Sequence, residues 1–294
     1  MGTIVGKRSW ILPFLLLVCP RSFAQERKID PTWLHRYLPS LDWAETDPSS
    51  DHCRYKLIFD AAGDRSLRSV SRFAEVSVNV GSDCQQVLGD HQEEIDFVLE
   101  GTGILRYGNE TQAVHASDFV YLTPGVKHSI SNNSSQRLRV LVMVFKIPTH
   151  TAISTAPQHI RVVNLDEVKE QTVEGHPDSV LYKLMVGPRG ATRDAIDDAY
   201  VVTSLFWMEF APGGTNFPHH HETAEEIYLV LGGEGEMVAG SGMDGVEGRY
   251  PAKAGDAYYF RPNCTVGFYN QNKIGAKAHI LAVRSRIPLS PEED

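Results

Sequence analysis

The fold of this chain is decided by residues 225–235, which read EEIYLVLGGEG, because residues 93–103 read EEIDFVLEGTG without a gap. A second matching pair follows, since residues 117–124 read SDFVYLTP and residues 255–262 read GDAYYFRP. Self-similarity of this kind indicates one structural unit that is present twice. The second pair is six residues further apart than the first, so we expect an insertion in the second copy at the glycine-rich residues 240–248.

Both copies consist of short β-branched and aromatic runs that are separated by Gly, Pro, Asn and Asp. These runs are residues 96–99, 119–122 and 138–145 in the first copy and residues 228–231, 257–260 and 279–283 in the second. That rhythm predicts an all-β fold of two antiparallel β-barrels in tandem. We expect helix only in short pieces, such as Pro31–Tyr37 and a turn around Thr192–Asp198.

The repeat and the segments around it predict how the chain is divided. The polar, proline-bounded residues 148–157 are the best candidate for a linker between the copies. We expect a signal peptide over residues 1–24, an N-terminal extension over 25–68, a first barrel domain over 69–148, a linker with lead-in strands over 149–201, a second barrel domain over 202–288 and a C-terminal tail over 289–294.

The first residues of the chain have the pattern of a secretory signal peptide. Lys7 and Arg8 precede the apolar run Trp10–Cys19, and Ser22–Ala24 offers a small-residue cleavage site. The apolar run is shorter than the roughly 20 residues of a membrane-spanning helix. We therefore expect a secreted or periplasmic protein without membrane insertion after the leader is cleaved.

The charge of the mature chain argues against two classes of partner. The full chain has a formal net charge of −9, and the leader contains Lys7, Arg8 and Arg21 but no acidic residue. Removing it leaves 25 basic and 37 acidic residues, a net charge of −12. Because such a surface repels phosphate backbones and anionic headgroups, we expect neither nucleic acid nor membrane surfaces as partners.

Three of the four cysteines lie outside the leader: Cys53, Cys84 and Cys264. An oxidising compartment allows one disulfide, and Cys53 with Cys84 is the favoured pair because both lie in the first half of the chain. The spacing alone does not establish this bond.

The strongest candidate site is the run from Pro218 to Glu226, which reads PHHHETAEE. In a strand, alternate side chains share a face, so His219 and His221 project to one side and His220 projects away. If Glu226 faces the same interior, two imidazole nitrogens and one carboxylate oxygen can hold one divalent ion and leave coordination positions open. A bare His-x-His is more often a solvated loop, but here it stands directly before a hairpin in one copy of a duplicated β unit.

These residues resemble the cupin superfamily. The family's first motif, Gly, His-x-His, Glu and Gly, is matched by Gly213 or Gly214, His219, His221, Glu226 and Gly233. Its second motif is matched in the first copy by Asp118, Pro124, Gly125, His128 and Asn132. The resemblance covers both halves and implies a two-domain bicupin, with one metal ion in the second barrel whose identity (Fe, Mn, Ni or Zn) the ligands do not distinguish.

The two copies depart from the family pattern in complementary ways. In the second copy the histidine position of the second motif is Val266, so the usual fourth ligand is missing. In the first copy Glu94 and His128 remain, but the His-x-His positions fall on Gly89 and His91. We expect the first barrel, with its degenerate site of His91, Glu94 and His128, to be mainly structural or a metal-free pocket.

Three further residues of the second copy could complete the site. His279 could reach the metal as a compensating ligand, although a hydrogen-bonded core histidine is the commoner role. Tyr228 could line the pocket or only fill the barrel. Arg261 could hold a substrate carboxylate or pair with an acidic side chain at the rim.

Two functions remain open. The first is a metalloenzyme that acts on a small organic molecule, with a dioxygenase-, decarboxylase- or isomerase-like reaction and unknown catalytic residues. The second is a non-catalytic bicupin that binds or stores a small molecule. Either protein could form homo-oligomers.

Overall fold

The computed structural model describes residues 1–2, 31–45, 53–86, 88–154, 159–240, 247–272 and 275–288. It confirms the predicted fold class, because the described strands form two barrels in which all strand pairs but one are antiparallel. Most of the predicted signal peptide, the C-terminal tail 289–294 and parts of the predicted linker and glycine-rich insertion lie outside the described residues. Among the described residues, no helix combines the length and apolar character needed to cross a membrane.

The first half of the chain carries eleven of the described strands. They are β1 (Trp33–Tyr37), β2 (Ala44–Glu45), β3 (Cys53–Asp60), β4 (Val70–Val78), β5 (Ser82–Gln86), β6 (Gln92–Glu100), β7 (Thr102–Tyr107), β8 (Glu110–His115), β9 (Asp118–Leu122), β10 (His128–Asn132) and β11 (Leu138–Lys146). A 3-10 turn, Leu38–Ser40, follows β1.

The second half of the chain repeats this series. Its described strands are β12 (Arg161–Asn164), β13 (Val180–Pro188), β14 (Ile196–Ala199), β15 (Val202–Phe210), β16 (Ala224–Gly232), β17 (Glu234–Gly240), β18 (Glu247–Lys253), β19 (Asp256–Phe260), β20 (Thr265–Tyr269) and β21 (Ala278–Arg286). A 3-10 turn, Leu165–Glu167, follows β12.

Each barrel pairs a seven-stranded sheet with a smaller one. The first barrel has the order β12-β9-β6-β11-β4-β3-β2 in its large sheet and β5-β10-β7-β8 in the small one. In the second barrel the orders are β1-β19-β16-β21-β15-β13-β14 and β18-β17-β20. The repeated segments occupy equivalent places in the two large sheets. β6 lies between β9 and β11 in the first barrel, and β16 lies between β19 and β21 in the second.

The two copies exchange their first strands. β1 begins the first half but pairs with β19 of the second barrel, and β12 begins the second half but pairs with β9 of the first. The predicted helix over Pro31–Tyr37 is therefore wrong, because Trp33–Tyr37 gains a full antiparallel ladder as an edge strand. The expected turn around Thr192–Asp198 is a bend that leads into β14.

Three apolar clusters hold the molecule together. One fills the first barrel, and there the disulfide bond joins Cys53 and Cys84, which is the predicted pair. Another fills the second barrel, where Cys264 is a buried free thiol. The third combines side chains of both large sheets, including Phe97 and Leu229, so the two barrels share one buried interface.

One buried glutamate of each barrel also forms hydrogen bonds with the backbone of the other barrel. Glu93 on β6 is fully buried, and its carboxylate accepts hydrogen bonds from the backbone N–H groups of Tyr200, Val201 and Val202 at 2.6–3.0 Å. The Tyr121 hydroxyl donates to the same carboxylate at 2.8 Å. Burial raises the pKa of the Glu93 carboxyl, and these four donors oppose that rise.

The second barrel repeats this arrangement in the opposite direction. Glu225 on β16 accepts hydrogen bonds from the backbone N–H groups of Arg68, Ser69 and Val70 at 2.6–3.0 Å, and the Tyr259 hydroxyl donates to it at 2.8 Å. We call the two arrangements the glutamate clamps. Because both glutamates and both tyrosines are equivalent in the sequence repeat, each copy holds the lead-in strand of the other copy by the same contacts.

Glycine is required where the repeated hairpin turns. Gly101 and Gly233 have φ values of 88° and 79°, in the left-handed region. A Cβ atom would lie 2.5 Å from the carbonyl oxygen of Arg137 in the first case and 2.7 Å from that of Lys277 in the second. Both the backbone conformation and the close approach therefore exclude a larger residue.

Candidate metal centre

The candidate site lies where the second barrel's two sheets meet. Glu226 is the third residue of β16, and its antiparallel partner across the sheet is Arg284 of β21. His219 precedes β16 and forms a backbone bridge with Val266 of β20, with hydrogen bonds of 2.8 and 2.9 Å. Val266, the residue in place of the missing fourth ligand, therefore lies directly beside His219.

The structure brings His219, His221 and Glu226 together. One nitrogen of each imidazole and one carboxylate oxygen all lie within 4.8 Å of one another. Among the described residues, no other group of three or more His, Cys, Asp or Glu side chains converges in this way. This separation allows one ion to contact all three ligand atoms.

Glu226 has the properties of a ligand whose partner is not a protein group. The residue is only 4% exposed, and its Oε2 atom is buried without a hydrogen-bond partner. His221 Nε2 lies 3.3 Å from that oxygen but not in hydrogen-bond geometry. Although burial raises the pKa of the Glu226 carboxyl, the nearby His221, Arg284 and His219 bring it below its usual value, so the carboxylate is ionised.

The imidazole of His219 is oriented by a hydrogen bond from one of its nitrogens to the backbone. Its Nδ1 atom donates a hydrogen bond to the carbonyl oxygen of Phe217, at 2.8 Å. Nε2 is then the unprotonated nitrogen that can bind a metal. Burial lowers the pKa of His219, which keeps the imidazole neutral as a ligand must be. Glu226 thus offers a buried carboxylate oxygen without a hydrogen bond, and His219 offers an oriented neutral imidazole. Both groups fit a divalent ion.

The residue that orients His219 has an unusual backbone. Phe217 has a φ of 54°, in the left-handed region, and its side chain is 55% exposed. Such a conformation costs about 1–3 kcal/mol in a residue other than glycine. The Thr215 Oγ1 atom accepts a hydrogen bond from the Phe217 N–H at 3.0 Å, which helps to hold the conformation that directs the Phe217 carbonyl to His219.

Arg284 lies against His221 on the other side of the site. Its Nη1 atom is 3.2 Å from both Nδ1 and Nε2 of that imidazole. Its Nε donates to Thr203 Oγ1 at 3.2 Å and its Nη2 donates to Ser204 Oγ at 2.9 Å. The guanidinium is therefore fixed by β15 next to the candidate metal position.

An open cleft of about 490 Å³ leads from the protein surface to His221 and Arg284. The side chains around it are Thr203, His220, His221, Glu222, Thr223, Ala224, Arg284 and Arg286. The cleft is within the usual range for small-molecule sites. It gives a small ligand a path to the candidate metal centre.

Two tyrosines extend the site into the barrel. Tyr182 on β13 is 1% exposed, and its hydroxyl is buried without a hydrogen-bond partner. Burial raises the pKa of the Tyr182 phenol, and the charge of Glu226 raises it further, so the phenol stays protonated and can donate. The Tyr228 hydroxyl instead accepts from Asn216 Nδ2 at 2.9 Å. Its hydroxyl is therefore already engaged, and the residue packs in the barrel core without lining the open cleft.

The other two candidates of the second copy are not brought to the site. His279 Nε2 contacts Glu209 Oε2 at 3.1 Å, and the residue lies five positions before Arg284 on β21. Its ring packs against Trp207, so the structure gives it a structural role and not that of a fourth ligand. Arg261 follows β19, with its N–H bonded to the Thr32 carbonyl, and it does not line the cleft.

The first barrel contains a different polar cluster at the equivalent place. His128 Nε2 lies 3.0 Å from Glu94 Oε1, while Arg72 Nη2 is 3.7 Å from Glu94 Oε2. Asp96 is 2% exposed on the same face, and burial, followed by the charge of Glu94, raises its pKa well above the usual value. His91 is not part of a converging ligand group here. That the first barrel is mainly structural or metal-free stays a prediction.

Sequence reasoning missed Arg284, Thr203, Ser204 and Tyr182. They lie on β21, β15 and β13, and only the register of the large sheet places them near Glu226. No local motif marks them, since Arg284 contacts His221, Thr203 and Ser204 across 63 to 81 positions of the chain.

The comparisons agree with the repeat. The profile of the family described as Cupin domain matches residues 74–144 and residues 206–283. The uncharacterized protein MJ1618 of Methanocaldococcus jannaschii is 34% identical over 79 residues, which is 26% of this chain and 62% of that protein. The aligned part thus spans less than two thirds of the relative's length.

Solved structures with low sequence identity share the fold. The protein Ylba of E. coli superposes with a TM-score of 0.65 at 13% identity, over 87% of this chain and 92% of that chain. A formate complex of the oxalate decarboxylase of Lactobacillus farciminis superposes with a TM-score of 0.64 at 12% identity, over 87% and 86% of the two chains. Identities this low show likeness of fold alone.

Proposed function

The chain belongs to the Cupin domain family, and from this membership we propose that it is an exported, metal-dependent enzyme that acts on a small organic molecule in its second barrel. The observation that carries the proposal is the convergence of His219, His221 and Glu226 beside an open cleft. The reaction is dioxygenase-, decarboxylase- or isomerase-like. The likeness to an oxalate decarboxylase is one of fold, and it leaves these three classes open.

In this proposal His219, His221 and Glu226 hold one divalent ion. Bound there, Fe, Mn, Ni or Zn would supply a Lewis acid or redox centre with open coordination positions. Glu226 brings a negative charge that is shielded from water, since it is 4% exposed. The Phe217 carbonyl keeps the metal-binding nitrogen of His219 directed to the ion.

The pocket residues position the organic molecule. Tyr182 offers a protonated hydroxyl without a protein acceptor, so it can donate a hydrogen bond to a substrate oxygen. The apolar cluster around Tyr182 and Phe206 excludes water from the inner side. Substrate enters from the outer side, where the cleft contains Thr203 and Arg284.

The proposed export rests on two features of the chain. The signal-peptide pattern of residues 1–24 is that of a secreted or periplasmic protein. The disulfide bond between Cys53 and Cys84 supports the same compartment, because such bonds persist in oxidising surroundings. The division into barrel domains at residues 69–148 and 202–288 belongs to the same proposal.

The alternative is a non-catalytic bicupin that binds or stores a small molecule. It uses the same cleft and the same fold, and it differs only in the absence of turnover. The unpartnered Tyr182 hydroxyl does not separate the two functions, since a substrate and a stored ligand could both accept its hydrogen bond.

Elemental analysis of the purified mature protein tests the metal site directly. We expect about one divalent ion per chain in the wild type and almost none in the His219→Ala/His221→Ala double variant, because one carboxylate alone binds such ions weakly. His220→Ala is the matched control, since its side chain is exposed and lies outside the converging group.

Two results separate the hypotheses. Equal metal content in the wild type and the double variant would remove the assigned ligands and the proposal with them. If the metal is lost and the fold is retained, screening small organic acids and sugars with the metal-loaded protein distinguishes turnover from storage. Turnover that disappears in the double variant supports the enzyme, and binding without turnover supports the storage protein.

A further inference from the structure

We propose that Arg284 is a substrate-binding residue, and that the molecule taken by the second barrel is a small organic carboxylate whose carboxylate group lies between Arg284 and the metal. This inference rests on the proposed function and names the substrate class of the same site. It begins from the contacts of the guanidinium with His221 and from the charges around the cleft.

Arg284 is fixed with one end toward the candidate metal. Its Nε and Nη2 atoms donate to Thr203 Oγ1 and Ser204 Oγ, both on β15. The third guanidinium nitrogen, Nη1, lies 3.2 Å from each nitrogen of His221. The donor that is not used by β15 therefore faces the metal centre.

A bound metal leaves that donor without an acceptor. A neutral imidazole that binds a metal through one nitrogen carries a proton on the other. His221 and Nη1 of Arg284 are then both hydrogen-bond donors, and they cannot satisfy each other. An oxygen that accepts from Arg284 and lies beside His221 resolves this conflict, and a carboxylate provides one.

The charges of the site favour the same class of ligand. Glu226 cancels one of the two charges of a divalent ion, while Arg284 adds another positive charge within hydrogen-bond distance of a ligand imidazole. Arg286 and Glu222 also line the cleft, and their opposite charges offset each other. The loaded site is therefore electropositive, which favours an anionic ligand.

The shape of the donor set favours a carboxylate over phosphate. Two of the three guanidinium nitrogens are engaged by hydroxyl groups, so Arg284 offers a single edge and not a full fork. A planar carboxylate has two oxygens, so one can bind the free edge of the guanidinium and the other can bind the metal. Phosphate has further oxygens and more charge, which this pair of partners does not satisfy. The cleft of about 490 Å³ admits a molecule of a few carbons.

Cobalt(II) titration of the mature protein gives a readout that needs no known reaction. Each variant is loaded with Co²⁺, its metal affinity is measured by competition with a chelator, and malonate, acetate or phosphate is then added while the visible absorption of the cobalt is followed. We expect the wild type to bind malonate and acetate with a change in the cobalt spectrum, and phosphate more weakly.

Arg284→Gln should weaken malonate binding by about tenfold or more, because a charge-assisted hydrogen bond is lost. Its affinity for Co²⁺ should be unchanged or higher, since a positive charge beside the ion is removed. Arg249→Gln is the control, because Arg249 lies on β18 outside the cleft and should alter neither affinity. If Arg284→Gln does not fold, Arg284→Lys replaces it and should still lose about threefold or more.

The failures are distinguishable. If the wild type does not bind Co²⁺, the metal site and the carboxylate inference both fall. If it binds Co²⁺ and malonate affinity is the same in Arg284→Gln, the inference on Arg284 alone is overturned. Phosphate binding as tight as malonate and equally dependent on Arg284 would overturn the carboxylate class, and loss of Co²⁺ affinity in Arg284→Gln would make Arg284 a structural support of His221.

Discussion

At the scale of single residues, the candidate site contains groups that ordinary folding does not favour. Phe217 keeps a left-handed backbone, and Glu226 Oε2 and the Tyr182 hydroxyl are buried without a hydrogen bond. Each of these features costs stability. Because all three lie near His219 or Glu226, the cost is concentrated where a ligand can compensate for it.

The first barrel offers a residue-scale prediction that depends on pH. The pKa of Asp96 is raised well above its usual value, so this group favours folding at low pH and loses that contribution as pH rises through the folded-state pKa. Asp96→Asn mimics the protonated form. We expect the variant to become progressively more stable than the wild type as pH rises above the ordinary pKa of an aspartate, by at most about 1.4 kcal/mol per pH unit.

Urea unfolding at several pH values checks this expectation. Asp90→Asn removes an exposed carboxyl from the same barrel and serves as the control, with no comparable change in pH dependence. If wild type and Asp96→Asn show parallel stability profiles over this range, Asp96 is not the buried protonated group that the structure indicates.

At the scale of elements, the two barrels depend on each other through exchanged strands. β1 completes the sheet of the second barrel and β12 completes that of the first. The glutamate clamps then fix the lead-in strands, with Glu93 bonded to residues 200–202 and Glu225 bonded to residues 68–70. Neither copy is therefore closed without the other copy's residues.

The clamps predict a large effect from a small chemical change. Glu225→Gln replaces one acceptor oxygen with an NH₂ group that faces backbone N–H or hydroxyl donors. We expect a loss of about 2–4 kcal/mol in the free energy of unfolding, because buried hydrogen bonds to a charged group are broken. Glu93→Gln should have a similar effect, since its contacts are equivalent.

Glu100→Gln is the matched control for the clamps. Glu100 ends β6 with an exposed side chain that contacts Arg139, so its replacement should change stability by less than about 1 kcal/mol. Equal effects of Glu100→Gln and Glu93→Gln in urea unfolding would contradict the role assigned to the clamps.

At the scale of the whole molecule, an inter-barrel core and one covalent bond support the fold. The cluster between the large sheets contains residues of both copies, so unfolding of one barrel exposes apolar surface of the other. The Cys53–Cys84 bond joins residues separated by 31 positions in the first barrel. It links β3 of the large sheet to β5 of the small sheet within that barrel.

Removing the bond gives the prediction at this scale. The Cys53→Ser/Cys84→Ser variant should lose about 2–4 kcal/mol, because the unfolded chain gains the freedom of an open loop. A reductant should lower the melting temperature of the wild type to that of the variant and leave the variant unchanged. A wild type that is insensitive to the reductant, with two free thiols in the first barrel, would count against the bond.

Much of the fold was predictable because the signal is local and present twice. Alternating apolar residues, the glycines at 101 and 233 and the repeated Asp-aromatic segments specify strands and turns from neighbours in sequence. The Pro31–Tyr37 helix was mispredicted for the opposite reason, since this segment becomes a strand only through pairing with residues more than 200 positions away. A local pattern does not contain that pairing.

The site shows the same division. The sequence by itself determined an all-β duplicated chain and brought forward His219, His221 and Glu226, because the period of a strand puts alternate side chains on one face. Only the tertiary structure decided that Arg284 lies beside His221, that Tyr182 lies near enough to Glu226 for its charge to raise the Tyr182 pKa, and that His279 does not reach the centre. Their places follow from the register between strands distant in sequence, which is set by packing of the whole sheet and not by any short segment.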